Sequence, residues 1–362
     1  MAKRVANFYA GPSTLPLECL KEAQEEFLDF KSTGMSIIEI SHRSKEFENV
    51  VQEAEQNLRD LLNIPSDYSI IFLHGGASFN FPLVVMNLKK EGKVPCYINT
   101  GEWSKKAIKE AKLLGEVNVL ASSEDKNFSY IPDISGLKIP ENASYLHITS
   151  NNTIFGTQYK KFPETGDIPL IADMSSDFLS KSFDVKKFGL IYAGAQKNVG
   201  PSGIAVIIIR NDLVELSATQ NIPTFFKYAT HAKEHSLFNT PNSFGIYFIG
   251  LVLKHLKKIG GLPEIEKRNI EKAKILYDAI DRSKLFKGTA DKDSRSLMNV
   301  TFVINKKELE ETFLKEAKAN DLIGLKGHRS VGGFRASIYN AQSKENVEKL
   351  VKFMEDFERR YS

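Results

Sequence analysis

Two cysteines stand in 362 residues, Cys19 and Cys96, in unrelated contexts. They allow neither a disulfide framework nor a CxxC metal pair, which fits a reducing cytosol, and no metal site is expected. Charge is nearly balanced: 49 Lys and Arg against 45 Asp and Glu leave a formal net charge of +4, too little for a nucleic-acid footprint. Long apolar runs are missing. The longest, Ile246 to Leu253, falls far short of the roughly 18 residues that a membrane-crossing helix needs. Met1-Ala2-Lys3-Arg4-Val5 lacks the apolar stretch of a secretory leader. A cytoplasmic setting is therefore expected, with no membrane and no nucleic-acid partner. Neither GxxxxGK(S/T) nor GxGxxG occurs, which counts against a nucleotide ligand.

What is present is ordinary in bulk: 42% hydrophobic and 26% charged residues, in a chain long enough for one large and one smaller domain. Short apolar runs read as strands at Ser69–Leu73, Cys96–Asn99, Val117–Ala121, Tyr145–Ile148, Leu170–Ala172, Leu190–Ala193 and Ile204–Ile209. Helical spacing joins Leu17, Leu20, Ala23, Phe27 and Phe30 after Pro16, and Phe47, Val50, Val51, Ala54, Leu58, Leu61 and Leu62 after Ser44. Further helices are predicted from Phe81 to Leu88, near 103–114 and near 177–182. Alternation of β and α elements predicts an α/β fold with a mostly parallel, doubly wound sheet, which binds ligands beyond the carboxyl ends of its strands. From about residue 260, where Gly260-Gly261 interrupts the pattern, a helix over Pro263–Asp281 shows Ile265, Ile270, Ala273, Leu276, Tyr277 and Ile280 on its apolar side. Strand Asn299–Ile304, helix Lys307–Lys318, a strand near Phe334–Ile338 and a helix over 343–359 complete a smaller α+β unit.

Chemistry concentrates at the predicted strand ends. Asp173 closes one run, and Lys197 lies among small residues just after another and before Gly200-Pro201-Ser202-Gly203. An acid and a lysine so placed suggest pyridoxal phosphate, whose aldehyde forms a Schiff base with an amine and whose ring nitrogen needs a carboxylate to stay protonated. Gly75-Gly76-Ala77-Ser78, a strand end that opens a helix, offers free N–H groups for a phosphate. Trp103, the single tryptophan, follows a strand end and offers a flat face for a ring; Thr153 follows another. A second group is cationic: His42-Arg43, His328-Arg329 and Arg335 sit in turn-rich or glycine-punctuated segments that suit a small anion, since guanidinium forks bind carboxylate and phosphate in a bidentate way.

Longer motifs carry a resemblance. They are Asn7-Phe8 with Gly11-Pro12, Ser41-His42-Arg43-x-Lys45-Glu46-Phe47, His74-Gly75-Gly76, Tyr192-Ala193-Gly194-Ala195-Gln196-Lys197-Asn198-x-Gly200-Pro201, Phe238-Asn239-Thr240-Pro241 and the run from Leu325 to Asn340. Over nearly its whole length the chain resembles the phosphoserine aminotransferases, class V enzymes of fold type I. The resemblance implies a large domain over 16–262, with a seven-stranded-type sheet flanked by helices, and a small domain from 1–15 and 263–362. It implies a homodimer with shared active sites and one pyridoxal 5'-phosphate per subunit. Lys197 would carry the Schiff base, with Asp173 at the ring nitrogen, Trp103 on the ring face and Thr153 at the ring oxygen. Ala77, Ser78 and Gln196 would contact the phosphate, with Asn239 and Thr240 reaching it from the other subunit. Arg335 would take the substrate α-carboxylate; His42, Arg43, His328 and Arg329 would hold the far anion of phosphoserine, glutamate or 2-oxoglutarate. Two departures are Ala77-Ser78, where many members have Gly-Arg or Gly-Cys, and Ala10, where some have serine.

Overall fold

The computed structural model describes residues 4–361. Seven strands build the central sheet: β1 (Tyr68–His74), β2 (Val94–Asn99), β3 (Asn118–Ser122), β4 (Ala143–Thr149), β5 (Leu170–Asp173), β6 (Leu190–Gly194) and β7 (Ile204–Arg210). Their order is β1-β7-β6-β5-β4-β2-β3, and β7 alone runs antiparallel to its neighbours. The reason is covalent. A parallel crossover needs a dozen or more residues, and the connection from Gly194 to Ile204 is too short for one. The chain turns straight back, and Lys197 sits in that return.

Helices cover both faces. Residues of one parity, Ile70, Phe72, Ile98, Leu146, Ile148, Ala172, Ile191 and Val206, pack with α1 (Leu17–Glu25), α2 (Lys45–Leu62) and α5 (Ser243–Lys258). The other parity, including Ile71, Tyr97, Tyr145, Ile171, Tyr192 and Ile207, packs with α3 (Gly76–Leu88) and α4 (Glu102–Leu113). Burial on both faces explains why the strands read as unbroken apolar runs. Each fully buried Ile or Leu contributes about 1.5–3 kcal/mol. Ser44 caps α2 by accepting from Phe47 N at 3.3 Å.

A second apolar core lies around β8 (Phe286–Gly288), β9 (Asn299–Ile304) and β10 (Phe334–Ser337), an antiparallel sheet covered by α6 (Gly261–Arg282) and α7 (Lys344–Tyr361). Phe286, Phe302, Phe313, Phe334, Phe353 and Phe357 interlock there. Ala6–Asn7 pairs in parallel with Leu322–Ile323, and Phe8 is buried in this core. Leu262 and Ile265 at the start of α6 belong to the first core and Ala273 onward to the second, so α6 spans the seam.

Several expectations are corrected. Residues 177–182 form turns, not a helix: Asp173 Oδ1 accepts from Ser175 N at 2.9 Å, Ser176 Oγ donates to Asn151 O at 2.7 Å, and Leu179 is left-handed, so side chains take the backbone out of helical pairing. Helix α1 stops at Glu25, and Leu17 and Phe27 are exposed. The helix expected over Lys307–Lys318 begins as a 3-10 turn, Lys307–Leu309, and is α-helical over Glu310–Ala319. Ile270 faces outward on α6, while Asn269 and Lys272 face inward. Cys19 and Cys96 are free and buried. Among the described residues no helix is long and apolar enough to cross a membrane, and no cluster of His, Cys, Asp and Glu is arranged to hold a metal.

Candidate active site

One cavity of about 180 Å³ opens at the carboxyl edge of the sheet on the α3 side. Its lining includes Ala77, Ser78, Trp103, Asp173, Gln196 and Lys197. Each arrives from a different element. Asp173 ends β5, with the parity of Ile171, so its carboxylate falls on the α3 face. Trp103 lies in the first turn of α4, after a turn fixed by Ser104 Oγ, which accepts from Thr100 N at 2.9 Å and Gly101 N at 3.0 Å. Ala77 and Ser78 occupy the first turn of α3. Gly75 and Gly76 precede them at φ +90° and +67°, a turn that favours glycine. No side chain caps this 13-residue helix, so its first N–H groups are open to an anion.

Lys197 is held by its backbone. Val199 N and Gly200 N both donate to Ala195 O, at 3.1 and 2.9 Å, and Ser13 Oγ donates to Lys197 O. A Cβ on Gly200 would stand 2.8 Å from Ile249 Cγ1, so close packing on α5 fixes glycine there. The Lys197 Nζ donates to Thr153 Oγ1 at 2.7 Å and lies 5.3 Å from the centre of the Trp103 ring. Burial pulls its ammonium down to about 8, against the opposing attraction of Asp173. Burial likewise raises the Asp173 carboxyl, and Ser175 works against that: its N and Oγ donate to Asp173 Oδ1 at 2.9 and 2.6 Å. Ser175 Oγ also accepts from Gly194 N at 3.0 Å, tying the ends of β5 and β6 together.

Thr153 and Arg335 do not line the cavity but are tied to it: Thr153 holds Lys197, and Arg335 on β10 donates from Nη1 to Thr153 O at 3.4 Å. Its Nε is buried without a partner, and burial lowers its guanidinium. His328 and Arg329 lie in the loop before β10. The His328 imidazole is held below its ordinary range by desolvation, then by Arg335. Arg43 and Arg329 are exposed and make no ion pair among the described residues. His42, Arg43, Asn239, Thr240, His328 and Arg329 do not line the cavity. Asn239 and Thr240 instead pack on the end of β1: His74 Nε2 lies 3.2 Å from Thr240 O and 3.3 Å from Asn239 Nδ2. His42 Nε2 and Asn239 Oδ1 are buried with no partner.

Sequence reading missed Ser175 and Tyr339. A serine two places after an acid is a turn signature, so Asp173-Met174-Ser175 carried a signal for the first. Tyr339 stood inside the Leu325–Asn340 motif without a role; it is buried beside Thr153 and Arg335.

The residues fit the cofactor suggested by the sequence. A buried lysine with a depressed ammonium, a buried acid, an aromatic face and an uncapped helix start share one cavity. Comparison with known proteins agrees. The aminotransferase class-V family profile matches residues 5–350. A phosphoserine aminotransferase of Geobacillus kaustophilus is 55% identical over 99% of this chain and 100% of its own length. The solved phosphoserine aminotransferase of Bacillus circulans subsp. alkalophilus is 51% identical, with a TM-score of 0.97 over 100% of both chains. A pyridoxal-phosphate-bound phosphoserine aminotransferase from Trichomonas vaginalis is 39% identical, with a TM-score of 0.92 over 97% of this chain and 100% of its own.

Proposed function

This chain belongs to the class-V aminotransferases, and within them to the phosphoserine aminotransferases; from that premise we propose how its residues share the work of transamination. It is a pyridoxal-phosphate-dependent transaminase. It moves the amino group reversibly between O-phospho-L-serine and 2-oxoglutarate, giving 3-phosphonooxypyruvate and L-glutamate, in L-serine biosynthesis. A further use of 4-phosphonooxy-L-threonine, for pyridoxine synthesis, is a minor extension of the same chemistry. The observation that carries the reading is the one cavity that gathers Lys197, Asp173, Trp103 and the start of α3.

When bound, pyridoxal 5'-phosphate supplies an aldehyde that accepts the amino group and a ring that withdraws electrons from the substrate Cα. Lys197 would hold the aldehyde, Asp173 the ring nitrogen, Trp103 the ring face and Thr153 the ring oxygen. The first N–H groups of α3, with Ala77, Ser78 and Gln196, would take the phosphate. Lys197 Nζ then serves as the base for the Cα proton, a role that suits an amine lowered to about 8. The Asp173 carboxylate, whose charged form Ser175 favours against burial, would supply negative charge where positive charge must persist. Arg335 takes the α-carboxylate. His42, Arg43, His328 and Arg329 receive the far anion, so phosphoserine and glutamate use one pocket.

We place Asn239 and Thr240 at the phosphate of a second copy in a homodimer. Support comes from their packing against His74 without lining their own cavity, and from the partnerless Asn239 Oδ1. The chain is divided as 16–262 and 1–15 with 263–362; two separate cores, with Ala6 and Phe8 in the second, support this, and residues 1–3 and 362 lie outside the described residues. Two free, buried cysteines fit a reducing, cytoplasmic setting.

The test is one absorbance spectrum of purified holoenzyme before and after phosphoserine. Loss of the visible band with release of 3-phosphonooxypyruvate is expected. Bleaching by alanine but not by phosphoserine or glutamate would overturn the substrate assignment.

A further inference from the structure

Lys272 points inward from α6 and is 2% exposed. No carboxylate lies within ion-pair reach of it among the described residues. Its Nζ instead donates to three main-chain carbonyls, Ile338 O at 3.0 Å, Tyr339 O at 2.7 Å and Gln342 O at 3.0 Å. Burial lowers the Lys272 ammonium to about 7, but all three of its protons are used, which offsets much of the cost of a lone buried cation. The carbonyls converge as they would on a small cation.

The turn that Lys272 grips is a hub. Asn340 N donates to Asn198 Oδ1 at 3.0 Å, and Asn198 is the residue after Lys197. The Asn340 side chain accepts from Asn269 Nδ2 at 2.8 Å, one helical turn before Lys272. Tyr339 OH donates to Ala10 O at 2.7 Å and accepts from Asn299 Nδ2 at 3.1 Å, beside Thr153 and Arg335. Arg335 itself lies three residues before the first gripped carbonyl. The hub therefore joins the lysine loop of one core to the arginine strand of the other.

We propose that Lys272 is a positioning residue for transamination: an internal ammonium that shapes the 338–342 turn and so fixes Arg335 relative to Lys197. The proposal rests on the reading of Arg335 as the holder of the substrate α-carboxylate. A cavity of about 640 Å³, lined by Lys272, Asn198, Asn340 and Gln342 among others, borders the hub on its far side. A small cation can therefore reach the space that a truncated Lys272 would leave.

The test uses holoenzyme carrying Lys272→Ala. The KM for phosphoserine and for glutamate should each rise at least about tenfold, the energy of one hydrogen-bonded charge. Binding of glutarate, an unreactive dicarboxylate, should weaken equally when followed by fluorescence of Trp103. Ammonium or methylammonium should restore both, and tetramethylammonium at equal ionic strength should not, since it has no N–H to give. Unchanged KM values, or a loss that neither small cation recovers in folded protein, would overturn the proposal. If Lys272→Ala does not fold even with ammonium, Asn269→Ala decides: a rise in both KM values supports the hub, and none overturns it. Arg335→Ala separates the two readings. It should lose carboxylate binding with no ammonium recovery; intact binding there would remove the assignment of Arg335 and the proposal with it, whereas unmoved KM values in Lys272→Ala alone would overturn only the proposal.

Discussion

Ser175→Ala isolates the electrostatic tuning of Asp173. The Ser175 hydroxyl makes two bonds at a buried place: it donates to Asp173 Oδ1 at 2.6 Å and accepts from Gly194 N at 3.0 Å. The first is charge-assisted and contributes about 1.5–3 kcal/mol; the second leaves a buried N–H without an acceptor, costing about 1–3 kcal/mol. The Ser175 N–H to the same carboxylate oxygen survives, so the two effects overlap and a loss of about 3 kcal/mol in unfolding free energy is expected. The carboxyl of Asp173, already raised by burial, rises further without this hydroxyl. Weaker charge at the ring nitrogen should slow the half-reaction with phosphoserine about tenfold, the kinetic equivalent of roughly 1.4 kcal/mol. Urea melts of wild type and variant give the first number, and a stopped-flow absorbance trace of one amino transfer gives the second. Melts within about 0.5 kcal/mol and rates within twofold would refute the claim that Ser175 supports the carboxylate.

Three other outcomes follow from the same geometry. Arg335→Ala should weaken phosphoserine and glutamate together by about 10–100-fold in KM, from loss of a charge-assisted carboxylate contact; loss confined to phosphoserine would put Arg335 at the far phosphate. In cofactor-free protein the Lys197 ammonium titrates at about 8, so uptake of pyridoxal phosphate should climb as pH rises through 8 and then level off. By the same sign, that protein gains stability as pH rises from 8 into the ordinary lysine range, because only the unfolded chain still holds the proton. A pH profile of uptake that keeps climbing past 10 would contradict the burial argument. Gly156→Ala should destabilise by about 2 kcal/mol in a urea melt: Gly156 has φ +73°, and its Cβ would stand 2.3 Å from Thr301 Oγ1 and 3.0 Å from Asn299 O.

Much of the frame was legible because strand burial is written as apolar runs. All seven sheet strands were predicted to within about two residues, and Asp173 and Lys197 stood out because small and apolar residues lead into each. Helix α5 was not placed. Its Ile246–Leu253 stretch is buried on nearly every side between other elements, so it has no polar stripe to betray a helical period. The apolar face of α6 was read correctly at Ile265, Ala273, Leu276, Tyr277 and Ile280 but not at Ile270: hydrogen bonding to the 338–342 turn draws Asn269 and Lys272 inward instead. Local signals also said helix at 177–182, where Ser150 and Gln158, distant in sequence, bind the Asp177 carboxylate and hold the turns. Polar networks of this kind depend on partners that sequence spacing does not reveal.

The pairing of Ala6–Asn7 with Leu322–Ile323 has a consequence for synthesis on the ribosome. The opening residues emerge first, yet their partner strand is translated more than three hundred residues later. At ribosomal speeds that interval is on the order of half a minute. Throughout it Phe8 has no core to enter, and Ala10 and Ser13 wait for Tyr339 and Lys197. Residues 6–13 are thus among the last pieces to be set in place, however early they are made.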